Sequence, residues 1–290
     1  MHYLDLSFPK YFQSLNINKL IQLNSSFNNL YDAFSFGMVC NSNISYYVMQ
    51  YGNSRIIKFD KDWNFIKYSS ISSRFMITLV DNNVKRLFIS RYNGITEIDE
   101  NLNLVKSVIV SGRNYGLYFN SASVQLLVAS GSYATINVFD LNLTLIGNIT
   151  VPYKNNYILE YNGLLYISSE SSYMMVLENQ IFHHSFSTFC DSIRNFAIDQ
   201  NGILAISCSY NNIFYLYNNN GSFKGQSWQS PVYYPNSINF DSNGNLVISN
   251  YYGLYIFNSD PFIQTIDNSS TFTSCDYCFN KSEVVLFYLT

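Results

Sequence analysis

Four basic residues recur along the chain at intervals of 39, 41 and 40 residues: Arg74, Arg113, Lys154 and Arg194. Each stands just ahead of an apolar run, and positive charge repeated at fixed spacing suits a carboxylate or a phosphate. A second series is aromatic. Tyr51, Tyr92, Tyr133, Tyr173, Tyr210 and Tyr251 follow apolar runs at similar intervals, and Tyr3 continues the series across the chain ends. Such rings either wedge between neighbouring repeats or form a platform for a sugar, a peptide or a base. The residues at the ends of those runs (Gln50, Ser90, Ser130, Ser168, Ser207 and Ser249) read as partners of turn backbone groups.

Groups able to do covalent or metal chemistry are scattered. His183 and His184 fall in the outermost run of one repeat, and His2 is terminal. Glu160 is the clearest carboxylate inside an inner run and reads as a lining or paired charge. Asp81, Asp199 and Asp241 sit at turns on the opposite side. Cys275 and Cys278 have redox or zinc spacing, but residues three apart on a strand point to opposite faces. Cys40 occupies the place of Cys278 in the next repeat, which favours packing. The DSNGN run at 241–245 reads as a strand-connecting turn rather than a calcium loop. Phosphate-loop, nucleophile-elbow, HExxH and EF-hand patterns do not occur. The residues therefore imply no catalytic set, no metal and no cofactor.

The elements that position the two series come from a repeat. Phe59, Ile98, Phe139, Leu177, Tyr217 and Phe257 anchor equivalent runs 39, 41, 38, 40 and 40 residues apart. Each anchor has two apolar runs before it and one after it. A unit of about 40 residues with four short strands predicts a β-propeller blade. The expected fold is all-β, one domain over 1–290, with blades near 36–73, 74–112, 113–152, 153–191, 192–231 and 232–270. A seventh blade is expected from 271–290 joined to 1–18, with an insertion at 19–35; six blades is the alternative. In such a ring both residue series lie around the mouth of the central channel.

Pro235 and Asn236, the DSNGN turn, Val247–Ser249 and Leu254–Phe257 form the clearest copy. Asn195–Asp199, Gly202 and Ile213–Leu216 form a second. These copies resemble the NHL family of propellers, and the likeness covers nearly the whole chain, more loosely in the first four blades. The resemblance implies a non-enzymatic scaffold that presents its loops to a peptide or protein; some NHL domains bind RNA. The family's acidic residue at the end of the second strand is Ser in most copies here, so a binding mode built on that carboxylate is not implied.

Bulk composition sets the remaining bounds. Aromatics make up 18% of the 290 residues and charged residues 12%, with a net charge of −3. That balance favours sheet and disfavours nucleic acid as a partner, although ten of the sixteen Lys and Arg lie within 55–113. No run reaches the roughly 18 apolar residues of a membrane span, and no signal peptide is visible. Seven glycosylation sequons (Asn24, Asn43, Asn142, Asn148, Asn220, Asn268 and Asn280) are no more than so Asn-, Ser- and Thr-rich a chain produces by chance. Five cysteines, an odd number, fit a reducing, cytoplasmic setting. The expected function is that of a monomeric scaffold holding a protein, a peptide or a small anionic ligand at the channel mouth. The alternatives are a glycan-binding propeller and a metal-dependent propeller hydrolase or lyase. Trp63 and Trp228 map to outer runs, away from that mouth.

Overall fold

The computed structural model describes residues 17–21, 34–40, 45–50, 55–60, 62, 64–71, 76–81, 85–208, 213–226, 235, 237–240, 245–249 and 254–257. Strand β1 is Ile17–Ile21. Blade one holds β2 (Phe34–Cys40), β3 (Ser45–Gln50), β4 (Arg55–Asp60) and β5 (Phe65–Ser70). Blade two holds β6 (Met76–Asp81), β7 (Lys85–Arg91), β8 (Gly94–Asp99) and β9 (Leu104–Ile109). Blade three holds β10 (Asn114–Asn120), β11 (Gln125–Ser130), β12 (Thr135–Phe139) and β13 (Leu145–Thr150). Blade four holds β14 (Asn155–Tyr161), β15 (Leu164–Ser169), β16 (Tyr173–Glu178) and β17 (Ile181–Ser187). Blade five holds β18 (Ile193–Ile198), β19 (Ile203–Cys208), β20 (Ile213–Asn218) and β21 (Phe223–Gln226). Blade six holds β22 (Ser237–Phe240), β23 (Leu246–Ser249) and β24 (Leu254–Phe257), with β1 as its outermost strand.

All six sheets are antiparallel; five run in chain order from the centre outwards, and the sixth runs β22, β23, β24 and then β1. The innermost strands β2, β6, β10, β14, β18 and β22 touch in succession, and β22 closes back on β2. The described residues form six four-stranded blades, and the expected seventh, from 271–290 joined to 1–18, lies almost wholly outside them. The ring closes through β1, where Ile17 pairs with Phe257 and Ile21 with Leu254. Residues 19–21, expected within an insertion, belong to that strand. The stretch 258–266, whose repeat pattern matches an outermost strand, and most of the expected closing blade lie outside the described residues. Spacing alone could not decide this: any short apolar run can complete a ladder of backbone hydrogen bonds.

Burial explains why second strands read as unbroken apolar runs. In β11, Leu126 and Val128 belong to one core cluster with Phe88 of blade two, while Leu127 and Ala129 belong to another with Ile158 of blade four. Successive side chains point to opposite faces, and here both faces meet a neighbouring blade. The same division sends Leu204 and Ile206 one way from β19, and Ile203 and Ala205 the other, towards Ile238 of blade six. Outermost strands have no outer neighbour: β9 and β13 are mostly exposed.

Polar clamps join blades one to three at the end opposite the channel mouth described below. Asp60, Asp99 and Asp140 close the turns between third and fourth strands by accepting backbone N–H bonds from Asn64, Asn103 and Thr144. Lysines reach across to the next blade's turn: Lys58 Nζ to the Glu100 carbonyl (3.1 Å), Lys67 to Asn101 (2.7 Å) and Lys106 to Asn142 (2.5 Å). Arg86 forks onto Glu97 at 2.7 and 2.9 Å and donates to the Leu141 carbonyl of blade three at 2.6 Å. Basic residues concentrated in 55–113 are therefore in part structural clamps. Asp199 is likewise a turn residue, accepting from the Asn201 and Ile203 N–H groups.

Candidate functional site

Antiparallel order places the loops between second and third strands at the same end of the ring as the links from each outermost strand to the next blade. This end carries the described members of both series: Tyr92, Tyr133, Tyr173, Arg113 and Lys154. Tyr51, Tyr210, Tyr251 and Arg74 lie outside the described residues.

Arg113 is the best-organised member. It ends the link between blades two and three, and its carbonyl accepts the Gly131 N–H at 2.8 Å while its own N–H donates to Ser132 Oγ at 3.0 Å. Its side chain lies over the Tyr92 ring, 5.6 Å from the centroid, and Nε donates to the Tyr92 hydroxyl at 3.3 Å. Hydrogen bonding to Tyr92 and then to Tyr115 pushes its already high pKa further up, so the cation is fixed while the guanidinium stays fully exposed. A Cβ on Gly131 would run into the Tyr115 ring, so a glycine is what lets that ring lie against the loop. Among the described residues, Arg113 has no carboxylate partner.

The tyrosines are not buried wedges. Tyr92, Tyr133 and Tyr173 keep 45%, 55% and 39% of their surface exposed. Each leans on a linking loop instead. Tyr133 covers Gly112, whose φ of +93° favours glycine, with ring carbon Cε2 only 3.1 Å from where a Cβ would sit. Tyr173 stacks on Tyr153 with centroids 5.4 Å apart and planes 15° from parallel. The neighbouring Lys154 is exposed, and its carbonyl accepts the Glu170 N–H at 3.2 Å.

Arg194 departs from its series. Ile193 pairs with Cys208 and Asn195 with Ser207, so Arg194 is the extra residue of a bulge inside β18 rather than the last residue of a link. A bulge inserts one residue without changing the repeat length, and spacing alone does not show it.

Three buried amides one residue beyond the basic series were missed, though their recurrence was visible as Arg113-Asn114, Lys154-Asn155 and Arg194-Asn195. Asn155 Nδ2 donates to the Tyr133 and Thr135 carbonyls of blade three, and Asn195 Oδ1 accepts from the Ile238 N–H of blade six. Asn114 Nδ2 donates to Val110 and Gly112 within its own link. Ser90 donates to the Tyr115 carbonyl at 2.9 Å and Ser207 to the Asn195 carbonyl at 3.0 Å, partners on inner strands rather than the turns expected. These bonds stitch the inner ends of the blades together and hold the mouth in shape.

Burial and then the Glu160 charge push the Tyr118 phenol well above its ordinary pKa. His183 and His184 lie on β17 at the outer edge of blade four. Cys190, in the link from blade four, pairs with Cys208 at the end of β19, with Cα atoms 5.6 Å apart. Cys40 is described by its strand β2, while Cys275 and Cys278 lie outside the described residues. Among the described residues no three His, Cys, Asp or Glu side chains gather as metal ligands, and no helix is long and apolar enough to cross a membrane.

No protein-family model matches the chain, and no curated protein matches it. Solved structures do. Virginiamycin B lyase from Staphylococcus aureus superposes with a TM-score of 0.62 at 12% identity, over 81% of this chain and 82% of the other. Its catalytically inactive histidine-to-alanine form with quinupristin gives 0.62 at 11%, over 83% and 88%. The Cps50 (Swd1) β-propeller domain from Myceliophteria thermophila gives 0.63 at 10%, over 84% and 99%. At such identities the likeness is one of fold, and the fold shared is the β-propeller.

Proposed function

We propose that this chain is a non-enzymatic, monomeric binding propeller, NHL-like in its use of a repeated blade, that holds an acidic peptide or protein segment at the channel mouth. Arg113 carries the reading: an exposed guanidinium oriented by two phenols, with no carboxylate partner among the described residues, is preorganised for an incoming carboxylate. Half-exposed Tyr92, Tyr133, Tyr153 and Tyr173 supply the flat apolar surface beside it, and Lys154 a second charge. Arg74, Arg194, Tyr51, Tyr210 and Tyr251 are proposed to extend the same rim. A lyase reading draws on the Staphylococcus aureus neighbour, whose inactive form lacks one histidine; the described histidines here stand at a blade's outer edge, which favours the scaffold.

The test is an array of Asp- and Glu-rich peptides probed beside a glycan array with wild type, Arg113→Ala and Arg91→Ala. Acidic-peptide binding that falls at least tenfold in Arg113→Ala and persists in Arg91→Ala supports the proposal. Binding confined to glycans, or indifferent to Arg113, overturns it.

A further inference from the structure

Phe189 belongs to neither residue series, yet at 57% it is the most exposed aromatic side chain among the described residues. It stands in the link from blade four to blade five, at the mouth end of the ring. Its N–H donates to the Tyr217 hydroxyl at 2.8 Å, and its ring meets the Phe223 ring edge-on with centroids 4.9 Å apart. Thr188, just before it, donates to the Ser172 carbonyl through its N–H at 2.7 Å and through Oγ1 at 3.0 Å. Ser172 directly precedes Tyr173, whose ring stacks on Tyr153. Tyr153, Tyr173 and Phe189 are thereby joined into one ledge of exposed rings reaching from the blade-four link to the blade-five link. Rings anchored on one side and open on the other are the usual energetic centres of a binding surface.

The ledge is continuous with the Arg113 site. Tyr133 covers Gly112 beside Arg113, and the Tyr133 carbonyl accepts from Asn155, the neighbour of Lys154 and two residues from Tyr153. Charge changes along this arc. Arg113 has no carboxylate partner among the described residues, whereas the loops of the ledge carry exposed Glu170 and Asp191 alongside Lys154 and Arg194. One end is therefore positive, and the aromatic end is balanced in charge. A uniformly acidic chain laid along the arc would bring carboxylates up to Glu170 and Asp191, and like charges across an interface are unfavourable.

We propose that the ledge of Tyr153, Tyr173 and Phe189 takes an aromatic side chain of the same peptide whose carboxylate Arg113 holds. The partner is then a segment that pairs an acidic residue with a Phe, Tyr or Trp, and Phe189 sets that preference. This rests on the acidic-peptide reading above and narrows its ligand.

Fluorescence anisotropy of the full chain with labelled peptides tests this, comparing an acidic peptide with a set in which one Trp is moved through every position. At one or more positions the Trp should tighten binding at least tenfold. That gain should vanish in Phe189→Ala and in Tyr173→Ala, while Arg113→Ala weakens every peptide. Melting curves confirm that the variants fold, and Tyr173→Ala carries the test where the loss of the Phe223 contact unfolds Phe189→Ala. A Trp that brings no gain at any position, or a gain that survives in folded Phe189→Ala or Tyr173→Ala, overturns the proposal. Acidic-peptide binding that still depends on Arg113 would then leave the earlier reading standing. No binding by any acidic peptide, or a Trp gain indifferent to Arg113, overturns both.

Discussion

Tyrosine plays two parts in this protein, and environment separates them. At the mouth, Tyr92, Tyr133 and Tyr173 stand half exposed, while Tyr47 and Tyr217 are built into the walls between blades. Burial, reinforced by the Glu100 charge, pushes the Tyr47 phenol up to about 12. Burial does the same for Tyr217, to about 12, against the opposing effect of the Phe189 N–H, which donates to its hydroxyl at 2.8 Å. A folded-state pKa above the unfolded value of about 10 favours the protonated form in the native state. The stability this confers is complete below about pH 10 and lost as pH rises from about 10 towards 12. Tyrosinate absorbance followed with circular dichroism should therefore show Tyr47 and Tyr217 ionising only as the fold gives way. Ionisation of every tyrosine near pH 10 with the fold intact would contradict this. The mouth series was legible in the sequence because a 40-residue spacing survives any folding detail. Arg194 stands at a bulge inside β18, which that spacing does not show.

At the level of elements, blades stay together through apolar layers and a few directed polar bonds. The Arg86 fork is the strongest of these, because Glu97 is only 5% exposed and its charge has little water to fall back on. Breaking a buried pair by removing one partner typically costs about 3–5 kcal/mol, whereas exposed lysine contacts are worth about 1 kcal/mol or less. Glu97→Ala is therefore expected to lower unfolding free energy by about 3 kcal/mol in urea, and Lys106→Ala by less than 1 kcal/mol. Equal effects would mean that the fork is no more than another surface contact. Alternating apolar layers made the strands readable in advance. The clamps were not readable, since a lysine that reaches a neighbour's carbonyl looks in sequence like any solvated charge.

For the whole molecule, closure is the decisive feature. A ring of blades is stable only if its first and last members meet, and here β22 packs on β2 while β1 covers the free edge of β24. Proline at Leu20 would clash with that ladder, lacking the N–H a paired strand supplies. Leu20→Pro is expected to lower the melting temperature by several degrees and to promote association through the exposed edge of β24, measurable by size-exclusion chromatography. A fully monomeric variant with an unshifted melting curve would show that another segment closes the ring. The ring is a frame that does not by itself set an activity.

The sequence by itself determined the repeat, the four-stranded blade and the two residue series, because these depend on local patterning of apolar, aromatic and basic residues along one chain. Tertiary structure alone decided that β1 pairs with β24, since edge pairing rests on backbone groups every residue shares. It also decided which cations clamp a neighbouring loop. That distinction depends on what lies across the blade interface, and no single repeat contains both sides of it.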